Sequence, residues 1–391
     1  GETLQIVEVG VGARVDEQGR YEDAALGERV SLRFQLIRQD GQWRISSAPN
    51  LTVVTQPVFT VVFNAFPVYF LDKLQSRLVP DLRWFPSKAS TGTKLVNALL
   101  AGPSDWLVDA TSTAIPAGTK LTIDAVNVVD GIARVDFDAT ALEADPLQRR
   151  LLLSQLRATL LQLSGVSDVA VSINNSAQDI TPSQLQSLSS GGTVYFATDT
   201  GIYRISGTEA TSLNGTANFL ANNEVSKFAV HNSADRIALA TDQGVFEIQA
   251  NGLSQKTSKV SDATELAELF YDAWGFLWLI PQDPFQSLVI VSSTGEARNV
   301  ANEVDGLRVS YRISAEGSRL AYGVSTEGST AIGISGVLRD PQGWPIGLSA
   351  PLSVTNVLGE VVDFAWQQNS VLRILERTTS GLTAVSDYPI T

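Results

Sequence analysis

The octapeptide Thr198-Asp199-Thr200-Gly201-Ile202-Tyr203-Arg204-Ile205 returns 43 positions later as Thr241-Asp242-Gln243-Gly244-Val245-Phe246-Glu247-Ile248. Further turn-plus-strand sites fall at Leu288, Ala331 and Leu382, so the steps are 43, 43, 43 and 51 residues. A second feature precedes each turn: Ser233 to Ala238, Ala273 to Trp278, Ser314 to Ala321, and Trp366 to Leu372. A period of about 40 to 50 residues built of short strands and turns is that of propeller blades, small sheets that bury their faces only against one another. Four to five units are visible, and the longer last step is assigned to an insertion around Arg339-Asp340-Pro341-Gln342-Gly343-Trp344-Pro345.

The chain before the repeats reads as two further segments. From Leu4 to Val54 strands dominate, with Val30, Leu32, Phe34 and Leu36 in strict alternation and Asp40-Gly41 supplying a hairpin turn that sets Trp43 and Ile45 on one face. A sheet of four strands is expected there without helices to cover it, so this domain reads as truncated at its start. From about Phe66 to Ile180 both periods occur. A helix over Thr93 to Ala101 stops at Gly102-Pro103, strands flank Asp130-Gly131, an amphipathic helix spans Leu147 to Leu163, and a strand carries Val169, Val171 and Ile173. That order is an α+β sandwich. Residues 181–193, rich in Ser and Gln and closed by a Gly pair, read as the linker. The expected organisation is a multidomain α+β and all-β chain: an antiparallel sheet domain over 1–62, an α+β domain over 63–180, the linker, and a β-propeller over 194–391.

Composition then narrows function. No Cys is present, which removes thiol nucleophiles, disulfides and thiolate metal sites, and the single His231 excludes a multi-histidine metal centre. Among 391 residues, 28 bases against 41 acids give a net charge of -13, which opposes a broad phosphate-binding surface and hence nucleic acid. No stretch is long and apolar enough to span a membrane, and Gly1-Glu2-Thr3 lacks an initiator Met and a signal sequence, as expected of a mature or excised piece. Charge is uneven: residues 192–391 hold 21 acids and 12 bases, net -9, whereas 66–191 and 1–65 are each net -2. The propeller is the acidic module, suited to orienting a basic partner.

Candidate chemistry is sparse. Asp136 and Asp138, with Asp124 nearby, could pair as acids, but the following Ala139-Thr140-Ala141 lacks the oxygens and Gly of a calcium loop, so a solvated strand end is the expectation. His231 precedes Asn232-Ser233-Ala234-Asp235 in a turn, and there is no Gly-x-Ser-x-Gly elbow and no phosphate-binding Gly-rich loop. No catalytic residue, metal or cofactor is assigned. Trp274, Phe276 and Trp278 have period two and are expected to point one way into the interblade core. Trp344, in a Pro- and Gly-rich insertion read as irregular, is expected to be exposed with Arg339 beside it, as at interface hot spots, and Trp106 is a further partner-binding candidate.

Leu78-Val79-Pro80-Asp81-Leu82-Arg83-Trp84, Leu95 to Ser104, Ile115-Pro116-Ala117-Gly118-Thr119 and Ala133-Arg134-Val135-Asp136-Phe137 together resemble the GerMN domain of spore-germination proteins. With a Gly-Gln-Trp-Arg-Ile sheet before it and a propeller after it, the whole is similar to the LpqB-type lipoproteins of actinobacteria. The resemblance implies export, anchoring to the outer face of the cell membrane by a lipidated Cys, and contact with the extracytoplasmic domain of the sensor histidine kinase of the MtrA and MtrB two-component system, in signalling tied to cell-wall homeostasis and division. This chain departs from that pattern in having no Cys, so membrane attachment is expected only through an N-terminal lipid anchor absent from it. The leading expectation is therefore a non-enzymatic interaction protein. The alternative is a peptidoglycan- or glycan-binding module, which would want exposed aromatics beside carboxylates around Trp106 or Trp344.

Overall fold

A computed structural model describes residues 2–390 apart from 26, 89, 187–192, 252–253, 302–303, 305, 327–328, 355–358, 368–369 and 379. The N-terminal segment forms two units where one four-stranded sheet was expected. Strands β1 (Glu2–Gly10), β4 (Arg29–Gln39) and β5 (Gln42–Ser47) make an antiparallel sheet, while β2 (Ala13–Val15) and β3 (Tyr21–Asp23) form a separate hairpin. The β4–β5 turn has Asp40 and Gly41 at φ 50° and 79°, the left-handed pair that suits the twist of a two-residue hairpin. The β2–β3 hairpin docks on the next domain: the Trp84 backbone N–H donates to the Gly19 carbonyl at 2.7 Å, and an Arg20 guanidinium N–H to that of Pro103 at 3.2 Å. Tyr21, Trp84 and Phe59 of helix α1 (Gln56–Val62) close that joint with ring centroids 5.2 to 5.9 Å apart.

The second domain is α+β. Strands β6 (Phe63–Asp72) and β7 (Leu78–Pro86) pair antiparallel, with β8 (Thr111–Ser112) on the far edge of β6. A second sheet orders β12 (Ser176–Ala177), β11 (Asp168–Ile173), β10 (Ile132–Phe137) and β9 (Asn127–Val129), and β10 and β11 run parallel. Helices α2 (Thr91–Ala101) and α3 (Pro146–Leu160) lie against these sheets, and Leu95, Leu99, Leu152, Leu156 and Leu160 share one buried cluster with Phe70, Val135 and Phe137. Helix α3 starts where the sequence provides for it: Asp145 and Gln148 form a capping box with Pro146 as first helical residue. Helix α2 ends at Gly102, φ 93°. The linker reading changes for residues 181–186. The Ser183 N–H donates to Arg150, the Gln186 N–H donates to Ser76, and Leu185 packs on the domain core, so this stretch is a strap on the domain surface. Residues 187–192 of the expected linker lie outside the described residues.

The repeats are blades of a β-propeller. Blade 1 comprises β13 (Val194–Thr198), β14 (Gly201–Ser206) and β15 (Glu209–Ser212), followed by the short helix α4 (Thr216–Leu220); blade 2 comprises β16 (Val225–Val230), β17 (Arg236–Thr241), β18 (Gly244–Asn251) and β19 (Ser254–Ser261). Blade 3 comprises β20 (Leu266–Tyr271), β21 (Leu277–Pro281), β22 (Leu288–Val291) and β23 (Ala297–Val300). Blade 4 comprises β24 (Leu307–Ile313), β25 (Arg319–Thr326), β26 (Ser329–Arg339), β27 (Pro345–Leu348) and β28 (Leu352–Val354); blade 5 comprises β29 (Glu360–Gln367), β30 (Val371–Arg377) and β31 (Thr383–Pro389). The repeated octapeptides are equivalent turns. Thr198 and Thr241 each donate a hydroxyl to the following glycine carbonyl, and Gly201 and Gly244 adopt φ 152° and 123°. The opening strands β16, β20, β24 and β29 pack side by side. At their ends a guanidinium crosses between blades: Arg236 lies 5.0 Å from the Tyr271 ring and Arg319 lies 4.8 Å from the Trp366 ring.

The segment between Arg339 and Pro345 is the irregular turn expected, but it closes a hairpin: β26 runs on past its blade partners and pairs with β27, Arg339 opposite Pro345, with a shift of register at Leu338–Arg339. One expectation fails within the blades. Trp274, Phe276 and Trp278 do not point one way. Only Trp278 lies on a strand, fully buried, while Trp274 sits in the turn before it, where Gly275 at φ 84° breaks the alternation. Residues 368–369, within the expected Trp366 to Leu372 feature, are not described.

Candidate functional site

Residues Asp72 to Arg77, which connect β6 and β7, carry the first half of a seam between the α+β domain and the propeller. Arg77 donates to the Ala273 carbonyl at 2.8 Å and lies 4.7 Å from the Trp274 ring centroid. Burial pulls the Arg77 guanidinium below its ordinary pKa, and Asp72 and Asp272 oppose that shift; burial likewise raises the Asp72 carboxyl against hydrogen bonds from Ser76 and Arg77. The propeller supplies the second half. Arg339 donates to Asp272 Oδ2 at 2.7 Å and to the Gly317 and Gly343 carbonyls, each at 2.8 Å, and lies 5.3 Å from the Trp274 ring centroid. Asp272 is saturated, since Oδ1 accepts from the Trp274 and Phe276 backbone and Oδ2 also accepts from Trp278 Nε1. Further along, buried Arg319 pairs with Glu316 and reaches the Pro80 carbonyl at 3.4 Å. Gly336 of β26 fits so tightly that an added Cβ would lie 2.6 Å from Ala110 Cβ and 3.0 Å from the Trp106 carbonyl.

Beside this seam opens a cleft of about 430 Å³ lined by His231, Asp235, Trp274, Phe276, Glu296 and Trp344. Its walls are hairpin turns of one type. In Asp272–Phe276, Ser292–Glu296 and Asp340–Trp344 the first side chain accepts from backbone N–H groups two and four residues on, and the fourth residue is a left-handed glycine. The cleft has the aromatic and acidic composition of a sugar site without a free ring face. Arg298 covers Trp344 at 4.0 Å, Phe276 packs on it at 4.7 Å, and Trp274 carries Arg77 and Arg339. Its His, Ser and Asp do not form a relay. His231 Nδ1 meets both Ser233 Oγ, at 2.6 Å, and Asp235 Oδ1, at 3.2 Å, whereas a hydrolytic triad puts the serine on one ring nitrogen and the acid on the other. The hydrogen bond from Ser233 holds Asp235 below the usual carboxylate range despite partial burial, and His231 adds to it.

The residues singled out from sequence are therefore placed as follows. Trp344 is only 7 % exposed and belongs to the core of blades 3 and 4, and Arg339 is buried in its ion pair, so the expected exposed hot spot is corrected: the hairpin folds back and seals both. Trp106 is partly buried against the core of blades 4 and 5. Arg339 ends β26 and the two tryptophans lie beside that strand, where their contacts are with other parts of the same chain. Asp136 lies at the partly exposed end of β10, as expected, and is held by hydrogen bonds there. Burial raises its carboxyl, but hydrogen bonds from Ser172, Thr122 and the Asn175 N–H outweigh that and hold it low. Asp138 caps a 3-10 helix, Asp124 accepts from Asn97, and among the described residues no group of three or more His, Asp or Glu is placed to hold a metal. Sequence reasoning passed over Arg77, Asp272 and Gly336, which hold the seam; the Asp-x-x-Gly spacing of the turns was the available signal.

Comparisons with known proteins follow the same division. Residues 2–60 match the sequence model of the lipoprotein LpqB N-terminal domain, 67–179 that of the sporulation and spore germination domain, and 200–386 that of the lipoprotein LpqB β-propeller domain. The chain belongs to the LpqB lipoprotein family. LpqB of Cutibacterium acnes is 33% identical over 163 residues, 41% of this chain and 27% of that protein, and LpqB of Thermobifida fusca is 30% identical over 41% of this chain and 26% of its own length. These matches thus span about a quarter of each relative. LpqB of Streptomyces avermitilis is 24% identical over 95% of this chain and 67% of the relative. Among solved structures, the first GerMN domain of GerM from Bacillus subtilis is similar over 31% of this chain and 94% of that one, at 22% identity and a TM-score of 0.26. TolB from Acinetobacter baumannii is similar over 48% of this chain and 45% of its own, at 11% identity and a TM-score of 0.36. No helix among the described residues is long and apolar enough to cross a membrane.

Proposed function

We propose that this chain is the body of a non-enzymatic, extracytoplasmic lipoprotein, anchored at the outer face of the cell membrane, that modulates a sensor kinase of the MtrB type by protein contact. The observation that supports the reading is the seam, in which arginines of both domains clamp Trp274 and make the GerMN-like domain and propeller one body. A regulator that works by contact must bind one state of its partner better than the other. A body already ordered in its binding shape loses less entropy on docking, so more of its contact energy goes into that discrimination. The net charge of -9 over residues 192–391 would speed encounter with a basic surface.

Calorimetry of this chain against the purified extracytoplasmic domain of the kinase tests the reading, with peptidoglycan fragments titrated in parallel. Saturable kinase binding that weakens with added salt is expected. Binding of the fragments without binding of the kinase would replace this reading with the glycan module, and binding of neither would overturn both.

A further inference from the structure

The N-terminal domain is two-sided. Its β2–β3 hairpin faces the GerMN-like domain through Gly19, Arg20 and Tyr21. Its sheet presents the β4–β5 hairpin outward. Residues opposite one another in an antiparallel pair share a face, and the register sets Arg38 opposite Trp43 and Leu36 opposite Ile45. Trp43 is 55% exposed and Ile45 61%, on a face whose inner end, at Leu32, is buried. A large exposed aromatic and a branched aliphatic side by side at a hairpin tip need a reason.

Charge supplies one. The strands β1, β4 and β5 with the β4–β5 turn hold Arg29, Arg33, Arg38 and Arg44 against Glu2, Glu8 and Asp40, a surplus of one positive charge within a chain of net -13; Arg38 shares the face of Trp43 and Ile45, and the other three arginines alternate to the opposite face. Among the described residues none of these four arginines joins an ion pair; Arg38 makes only a long contact, 3.4 Å, to the Gly41 carbonyl within its own hairpin. Exposed tryptophan and isoleucine with arginine on both faces of a hairpin is a composition of side chains that sit at the headgroup level of a bilayer, the aliphatic stems of arginine following the apolar side chains and the guanidinium groups the phosphates. Screening over about 8 Å at physiological ionic strength lets this local patch act independently of acids farther away.

We propose that the tip of the β4–β5 hairpin enters an anionic lipid surface edge-on, with Trp43 and Ile45 on one face at the level of the headgroups and Arg38 on that face and Arg44 on the other beside lipid phosphates. The proposal rests on the reading of this chain as part of a membrane-anchored lipoprotein, and it is tested without the kinase, so that the two can fail separately. The chain is sedimented with vesicles of phosphatidylcholine containing phosphatidylglycerol, and with vesicles of phosphatidylcholine alone. Retention on the anionic vesicles only, falling with salt and dropping by about tenfold or more in R38E/R44E and in W43A, is expected. Circular dichroism checks that the variants keep their fold, and R38K/R44K should restore retention. No retention on anionic vesicles would overturn the proposal, as would equal retention of wild type and variants. A concentration-dependent dimer abolished by W43A, seen by sedimentation without vesicles, would overturn it by assigning the face to a second copy of the chain.

Discussion

Asp272 carries more of the propeller's order than any sequence motif announced. It is 1% exposed, closes its own turn, receives the Trp278 indole and neutralises Arg339. Asp272→Ala removes one partner from a buried pair and leaves the guanidinium without a counter-charge, so a loss of about 3–5 kcal/mol is expected in urea unfolding, with Asp272→Asn losing less. A second residue-level test is alkaline. Burial, with help from Asp23, pushes the Tyr21 phenol up to about 12. A proton held more tightly in the folded state than in the unfolded one stabilises fully below the ordinary tyrosine pKa near 10 and ceases to do so as the pH rises toward 12. The urea midpoint is therefore expected to fall over that interval, and to fall less in Tyr21→Phe. Single side chains were the least legible part of the sequence. Trp344 carries the composition of an exposed hot spot, and only the fold-back of its hairpin, invisible in local pattern, buries it.

Elements were far more legible, because the signals that make them are local. The Asp40-Gly41 and Asp130-Gly131 hairpins, the Gly102 stop of α2 and the helix expected from Leu147, which forms as α3 from Pro146, stand where spacing puts them to within a residue. The repeat period likewise marked the blades, since each is closed by its own turns. One turn departs from its siblings in an instructive way. The Ala234 N–H donates to the His231 carbonyl at 2.7 Å, and Ala234 holds φ 57°, where the comparable turns of blades 3 and 4 place Gly275 and Gly317. A Cβ in the left-handed region is strained by about 1–2 kcal/mol, part of which glycine gives back through its freer unfolded chain. Ala234→Gly is expected to stabilise the protein by about 0.5–1 kcal/mol, read as a raised urea midpoint at unchanged slope.

At the scale of the whole molecule, the turn that carries Asp272 was legible in its Asp-x-x-Gly spacing, but the pairing across the seam was not. Its contacts join residues as distant as Arg77 and Ala273, and nothing periodic links them. Gly336 tests it most directly. Gly336→Val would thrust a side chain into Ala110 and the Trp106 backbone, so the two domains are expected to part while each keeps its fold. X-ray scattering should show an increased radius of gyration and circular dichroism an unchanged spectrum; a variant that stayed as compact as the wild type would show that the seam does not depend on this close approach. The stacked arginines have one more consequence. Two greasy surfaces can glide over one another at little cost, but a guanidinium threaded between a tryptophan and a carboxylate has a single resting place. The seam is therefore indexed like a keyed shaft: whatever turns the propeller must turn the GerMN-like domain through the same angle, and any partner gripping one of them senses the heading of the other.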